Sequence, residues 1–237
     1  MATSNSTDFT VDRDTIITEA LEICGVLAEG ESPSANQITS CSRTLNLLVK
    51  ALIPDGLHLW KRVQGDITIT KGAPSYTCGT GGTGLSERPV RLVDAWVTSG
   101  GTDIPVELIS DERYNALSTK DDVGEPLEAY YDPQLGTGTI YVWPTGSGTS
   151  GETLHVVYHA LIQDFDASTD TPDFPQEWHE CLVWGLASRL AQKYGVSTAE
   201  KNYIATLYTQ MRSEVESFDS EFTSLYIQPE EQYGTSS

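Results

Sequence analysis

Positive charge is scarce in this sequence: 14 Lys and Arg stand against 34 Asp and Glu among 237 residues, a formal net charge of -20. A surface of that sign repels phosphate and argues against a protein that grips nucleic acid by neutralising its backbone. DNA that slides past without sticking stays compatible. Long apolar runs are also lacking, and none approaches the roughly 20 residues that a membrane-spanning helix needs. The opening stretch Met1-Ala2-Thr3-Ser4-Asn5-Ser6-Thr7-Asp8 has neither the basic nor the apolar region of a secretory signal. Cysteine is limited to Cys24, Cys41, Cys78 and Cys181, with no two at a C-x-x-C spacing suited to zinc. Three of the four lie on or beside apolar faces of predicted helices, where a free thiol behaves as a small hydrophobe. Reduced, buried cysteines and synthesis in a cytoplasm are the expectation. No internal repeat is visible.

What is present suffices for a core. Hydrophobic residues make up 38% of the chain, and the length fits one large domain or a bundle with one inserted module. A first helix is expected from Asp12, a side chain able to cap the first turn, with Ile16, Ile17, Ala20, Leu21, Cys24 and Leu27 on one side. Gly30 and Pro33 are expected to end it and begin a second helix, whose Ile38, Cys41, Leu45, Leu48 and Leu52 form a narrow seam. Pro54-Asp55-Gly56 stops that helix. A third helix is expected after Asp173, with Pro175 in its first turn and Tyr194-Gly195 as its stop. Ser197-Thr198-Ala199-Glu200 reads as a capping box, opening a fourth helix through Ile204, Leu207, Tyr208, Met211, Val215, Phe218 and Phe222. Helices so far apart in sequence bury their apolar stripes against one another, which leaves the centre as an insertion.

Between Leu59 and Gln163 the period changes to two and turn residues multiply. Strands are expected at 66–70, 91–97, 128–131, 139–143 and 154–158, with one short helix at 110–117. The Gly-rich stretches Gly79 to Gly84 and Gly146 to Gly151 read as flexible loops at strand ends. The expected fold class is therefore α+β: an antiparallel α-helical bundle of two N-terminal and two C-terminal helices, with an inserted antiparallel β-sandwich or barrel-like module. Residues 1–58 form the N-terminal pair, 59–163 the insertion, 164–222 the C-terminal pair, and 223–237 a tail.

Several motifs invite chemistry and are weighed against simpler roles. Gly79-Thr80-Gly81-Gly82-Thr83-Gly84 lacks the following helix that would aim amides at a phosphate, so a mobile hairpin loop is the better reading. Asp164-Phe165-Asp166-Ala167-Ser168-Thr169-Asp170 places oxygens on alternate residues, but Thr169 and Pro175 stand where a calcium loop needs Gly and Glu. An acidic connector with caps for the third helix fits better. His155 and His159 share a strand face without an obvious third ligand, and cross-strand packing accounts for them. No carboxylate pair singles itself out for glycoside hydrolysis, and no nucleophile–His arrangement emerges. Neither a catalytic residue, a metal site nor a cofactor is assigned. Trp96, Trp143, Tyr130, Tyr131 and Tyr141 read as core and cross-strand pairs, although aromatics on strands can also stack on sugars. Trp178 and Trp184 occupy different helix faces, so one of them is expected to meet a neighbouring element or subunit. The stretch Glu214 to Ser237 holds six acidic residues and no basic one, yet keeps Phe222, Leu225, Tyr226, Ile227 and Tyr233.

Two N-terminal helices are followed by a β insert opening at Leu59-Trp60-Lys61-Arg62 and Ile67-Thr68-Ile69-Thr70-Lys71-Gly72-Ala73-Pro74-Ser75-Tyr76. The chain closes with Asp173-Phe174-Pro175-Gln176-Glu177-Trp178-His179-Glu180-Cys181-Leu182-Val183-Trp184-Gly185-Leu186-Ala187. In this layout, from about Phe9 to Phe222, it resembles the head-to-tail adaptors of tailed bacteriophages, ring-forming connectors beneath the portal. The resemblance implies a non-enzymatic virion protein at the head-tail junction. Its implied partners are the portal protein, a tail or nozzle protein, and further copies of itself, usually in a twelve-subunit ring. DNA would pass through the channel without specific binding, and no membrane would be involved. It also implies that the C-terminal extension docks on the portal, which assigns Phe222, Leu225, Tyr226, Ile227 and Tyr233 to that interface. The large β insert departs from the most compact adaptors and could bind a tail nozzle or fibre. A glycan-binding adhesin module of a virion, or a cell-wall hydrolase, is the alternative.

Overall fold

The computed structural model describes residues 5–53, 59–148 and 151–218. The five tail residues assigned to the portal interface and the Pro54-Asp55-Gly56 stop lie outside them. The first helix, α1 (Arg13–Ile23), starts as expected, with the Asp12 carboxylate accepting from the Thr15 amide at 2.7 Å. It ends earlier than expected, because Gly25 turns the chain at φ 65° and the Val26 amide reaches back to the Leu21 carbonyl. Leu27 is buried nonetheless, on the turn that leads away. The second helix, α2 (Ala35–Leu52), opens on a capping box in which Ser34 and Gln37 satisfy each other's backbone amides. After the β module, a 3-10 turn over Gln176–Trp178 leads into α4 (His179–Lys193), and α5 (Thr198–Phe218) opens on the expected Ser197–Glu200 box. At about 1.5 Å per residue the described part of α5 runs about 30 Å.

The helical core is organised around α4. Its Leu182, Leu186 and Leu190 are fully buried in one cluster with Ile16, Ile17 and Leu21 of α1 and Leu45 and Leu48 of α2. Ile162, Phe165 and Phe174, on the segment returning from the β module, complete that cluster. The fourth helix packs on α4 rather than closing a symmetric bundle. Tyr208 of α5 crosses α4 at Gly185, where an added Cβ would lie 2.8 Å from the Tyr208 ring and 3.0 Å from Leu48.

The insertion contains β1 (Arg62–Thr68), β2 (Ser75–Cys78), β3 (Arg91–Ser99), β4 (Thr102–Pro105), β5 (Glu107–Leu108), the short helix α3 (Asp111–Ala116), β6 (Glu128–Asp132), β7 (Gly138–Trp143) and β8 (Thr153–His159). The strands form two four-stranded sheets, ordered β1-β8-β3-β4 and β2-β7-β6-β5. Alternating residues of both sheets merge into one core: Ile67, Val97, Leu154 and Val156 from the first, Tyr76, Ile140 and Val142 from the second. Neither sheet closes on itself, so the module is a sandwich and the barrel alternative is withdrawn. Pairing is antiparallel throughout the first sheet, whereas β5 runs parallel to β6 in the second. The reason lies at Pro105 and Val106. After β4 pairs with β3, the chain turns this corner and switches sheets, with the Val106 amide still bound to Ala95 and the Glu107 amide bound to Leu127. The described start of the second Gly-rich loop is held by Glu152, a buried carboxylate that accepts from the Ser147 hydroxyl and the Gly148 amide at 3.1 and 3.2 Å.

Entry and exit of the insertion are tied together at the bundle. Lys61 pairs with Asp173 at 2.6 Å, and the same Asp173 oxygen accepts from the Gln163 amide. Asn46 of α2 offers its amide group to both backbone groups of Phe165, at 3.0 and 2.9 Å. The packing at Gly185 predicts that Gly185→Val is overpacked and costs about 1–3 kcal/mol. The urea midpoint should fall at unchanged m-value; an unchanged midpoint would mean that α5 is loosely held on α4.

Candidate interaction surface

The motifs that invited chemistry are spent on structure. In the first Gly-rich loop, Gly79 donates to Leu85, Gly82 to Gly79 and Gly84 to Thr77, while Thr77 and Thr83 exchange backbone-to-hydroxyl bonds. Its amides close the loop on itself rather than converging on an anion, and no helix follows. The hairpin-like path stands, but this loop is held by internal hydrogen bonds instead of swinging free. In the acidic connector, the Asp170 carboxylate accepts from the Asp166 and Ala167 amides at 2.7 and 2.6 Å, and these bonds hold its pKa below the usual carboxylate range. The connector's carbonyls at Asp170 and Ser168 take up the first amides of α1, those of Arg13 and Asp14. The expectation that the connector caps the helix after it is thus corrected: it caps the N-terminus of α1, and Pro175 gives the 3-10 turn no side-chain cap. Among the described residues no group of three or more His, Cys, Asp and Glu is placed to hold a metal ion.

Histidines and aromatics behave as cross-strand partners. His155 sits directly opposite Asp66 and Trp96, with Nδ1 2.6 Å from the Asp66 carboxylate and its ring stacked on Trp96 at 5.2 Å. His159 is buried on the same strand face, opposite Arg62 and Arg91. Tyr130 and Tyr141 stack at 5.8 Å and are covered by Tyr114 of α3. Tyr131 instead points inward, donating to the Pro89 carbonyl at 2.6 Å, and the Trp143 indole donates to Thr119. These rings spend their faces on one another, which leaves little platform for a sugar. All four cysteines are free and buried, and burial pushes the thiols of Cys24 and Cys181 up to about 11 and about 12. Such thiols are inert at neutral pH.

Two surface depressions lie on the helical bundle. Trp178 is buried against Trp60 and Phe174 at 5.2 and 5.7 Å. Trp184, on another face of α4, lines a groove of about 750 Å³ between α1 and α4. Val11, Ile23 and Val183 share its apolar floor, Phe9 flanks it at 69% exposure, and Asp12, Glu19 and Glu180 supply its charge. His179 lies within the groove, in ring contact with Phe9 and 6% exposed; burial holds its pKa below the usual value against the opposing effect of the Phe174 backbone. A second, shallower depression follows the outer side of α5 along Asn202, Ala205, Thr206, Thr209, Gln210 and Ser213, with Tyr203 63% exposed beside it. Neither depression gathers reactive groups; both suit contacts with other proteins. The sequence signalled Trp184 through its divergence from Trp178, but the groove itself went unread because it uses the flank of α1 beside the buried stripe.

The lowered pKa of His179 fixes the sign of a pH effect. As pH falls through the ordinary His value near 6.5, the unfolded chain gains a proton that the folded chain refuses, so this residue's contribution is intact above that value and lost below it. His179→Gln should therefore gain stability relative to the parent between about pH 7 and pH 5. Paired thermal melts check this, and a difference that does not change with pH would contradict it.

Compared with known protein families, residues 14–227 match the model of the SU10 adaptor protein family. The match runs from the first turn of α1 through the sandwich and beyond the described end of α5. No curated protein matches the chain.

Proposed function

We propose, because this chain belongs to the SU10 adaptor protein family of phage head-to-tail adaptors, that it is the virion connector that forms a ring beneath the portal, joins the filled head to the tail and surrounds the DNA channel. The observation that carries this reading is the extent of the family match, which takes in both helical pairs and the insertion between them. A ring closed by one repeated contact needs two different patches per subunit. The outer side of α5 supplies a candidate for one of them. Its net charge of -20 suits a wall past which DNA must move without adhering. Phe222, Leu225, Tyr226, Ile227 and Tyr233 form the portal-docking element in this proposal, since an acidic terminal stretch that served only as a solvated tail would have no need of them. The sandwich then faces the tail or nozzle protein.

Mass photometry of the purified chain with the portal protein from the same source tests the reading. A discrete ring-loaded portal is expected, and it should be absent when the chain is truncated after Phe218. Persistent separate species would contradict the adaptor role, whereas equal loading by the truncated chain would contradict the docking assignment alone. The charge argument predicts further that the isolated chain has no measurable affinity for duplex DNA at about 50 to 200 mM salt. Salt-dependent retardation of DNA would overturn it.

A further inference from the structure

The groove between α1 and α4 has a chemistry that specifies its occupant. Its floor is apolar, formed by Val11, Ile23, Val183 and Trp184, and Phe9 stands exposed at its edge. Glu19 and Glu180 are both exposed on its rim, Asp12 adds a third carboxylate, and no Lys or Arg of the described residues lines it. At one place the lining is polar and buried: His179 is 6% exposed, and its Nδ1 meets no hydrogen-bond partner. The stretch of α1 that borders the groove, from Asp12 to Ile23, is about 17 Å long at 1.5 Å per residue, which matches three turns of a second helix.

We propose that this groove is a docking site for a basic amphipathic helix of a partner protein, which seats aliphatic or aromatic anchors on Trp184 and Val183 and sets Lys or Arg against Glu19 and Glu180. Apolar anchors at helical spacing are the general way in which a helix fills such a groove, and charges around it select the partner by sign. The chain's own terminal segment, residues 219–237, is the competing occupant, but its charged groups, Asp219, Glu221, Glu230 and Glu231, are all acidic and repel this rim. The site goes beyond the portal-docking reading, because it lies wholly on described residues and holds whether or not the terminal segment binds a portal.

Fluorescence anisotropy of the full chain at about 150 mM salt, where surface attraction is screened within about 8 Å, provides the test. Two labelled 18-residue amphipathic probes are used, one built from Leu and Lys and its twin from Leu and Glu. Saturable binding of the Lys probe is expected, weakened about tenfold or more by Trp184→Ala, as for a central aromatic anchor. The exposed rim substitutions Thr15→Arg and Glu19→Lys with Glu180→Lys, which leave the core untouched, should weaken it similarly, and the Glu twin should not bind. Failure of the Lys probe to bind at about 100 µM, a modest affinity for a helix in a groove, would overturn the proposal. So would equal binding of the twin, or binding indifferent to the rim substitutions, which would trace it to the general acidic surface. Binding that appears only after residues 219–237 are removed would assign the groove to the chain's own terminus and equally overturn the external partner. None of these outcomes depends on portal loading, so the two readings fail separately.

Discussion

Burial of one face of α4 is the constraint from which the rest of this structure follows. Leu182, Leu186 and Leu190 lose their water in one cluster that draws Ile16, Ile17 and Leu21 from α1 and Leu45 and Leu48 from α2, far away in sequence. Each such side chain contributes about 1.5–3 kcal/mol when fully buried. The long-range closure this forces brings both ends of the β insertion to one place. The Lys61–Asp173 pair and the Asn46 bonds to Phe165 then fix the entry and exit. The acidic connector, whose carbonyls receive the first amides of α1, closes the same circuit a second time. An insertion pinned in this way can be large without disturbing the bundle.

The two cores are consequently separate in composition and in role. The sandwich buries Ile67, Ile140, Val142, Leu154 and Val156 between its own sheets, and its outer aromatics pair across strands. The bundle, by contrast, gathers α1, α2 and α5 around α4, with partly apolar surface still open on the outer side of α5 and in the acidic-rimmed α1–α4 groove. Exposed patches of this kind are what a protein built for assembly keeps. In a chain of net charge -20, contact between like copies has to use surface of low charge, whereas a basic partner gains from the acidic rim.

Much of this was legible because helical period and caps are local signals. Asp12, the Ser197–Glu200 box, the Tyr194-Gly195 stop and the Ser110 cap of α3 all stand where their residue types required. The five longer strands were found by alternation, although β1 begins four residues before the expected start and stops at Thr68, short of Ile69 and Thr70. Shorter ones were missed for the same physical reason: Ser75–Cys78, Thr102–Pro105 and Glu107–Leu108 span too few residues for a period to show, and the sheet switch at Pro105 depends on contacts with Ala95 and Leu127 from elsewhere in the chain. Whether the sheets would close was equally non-local, which is why sandwich and barrel could not be separated beforehand. The candidate surface was the least legible part. A groove is made by two helices jointly, and Thr15, Glu19 and Ile23 carry no motif.

Membership of the adaptor family and a bundle closed around α4 together support the proposal that the molecule works as a repeated structural part at the head-to-tail junction. Electron cryomicroscopy of virions from the same source tests that most directly. The account predicts a ring of bundle-and-sandwich density between portal and tail, with the sandwich on the tail side. Finding this fold elsewhere in the particle, or an intact junction without it, would contradict the account.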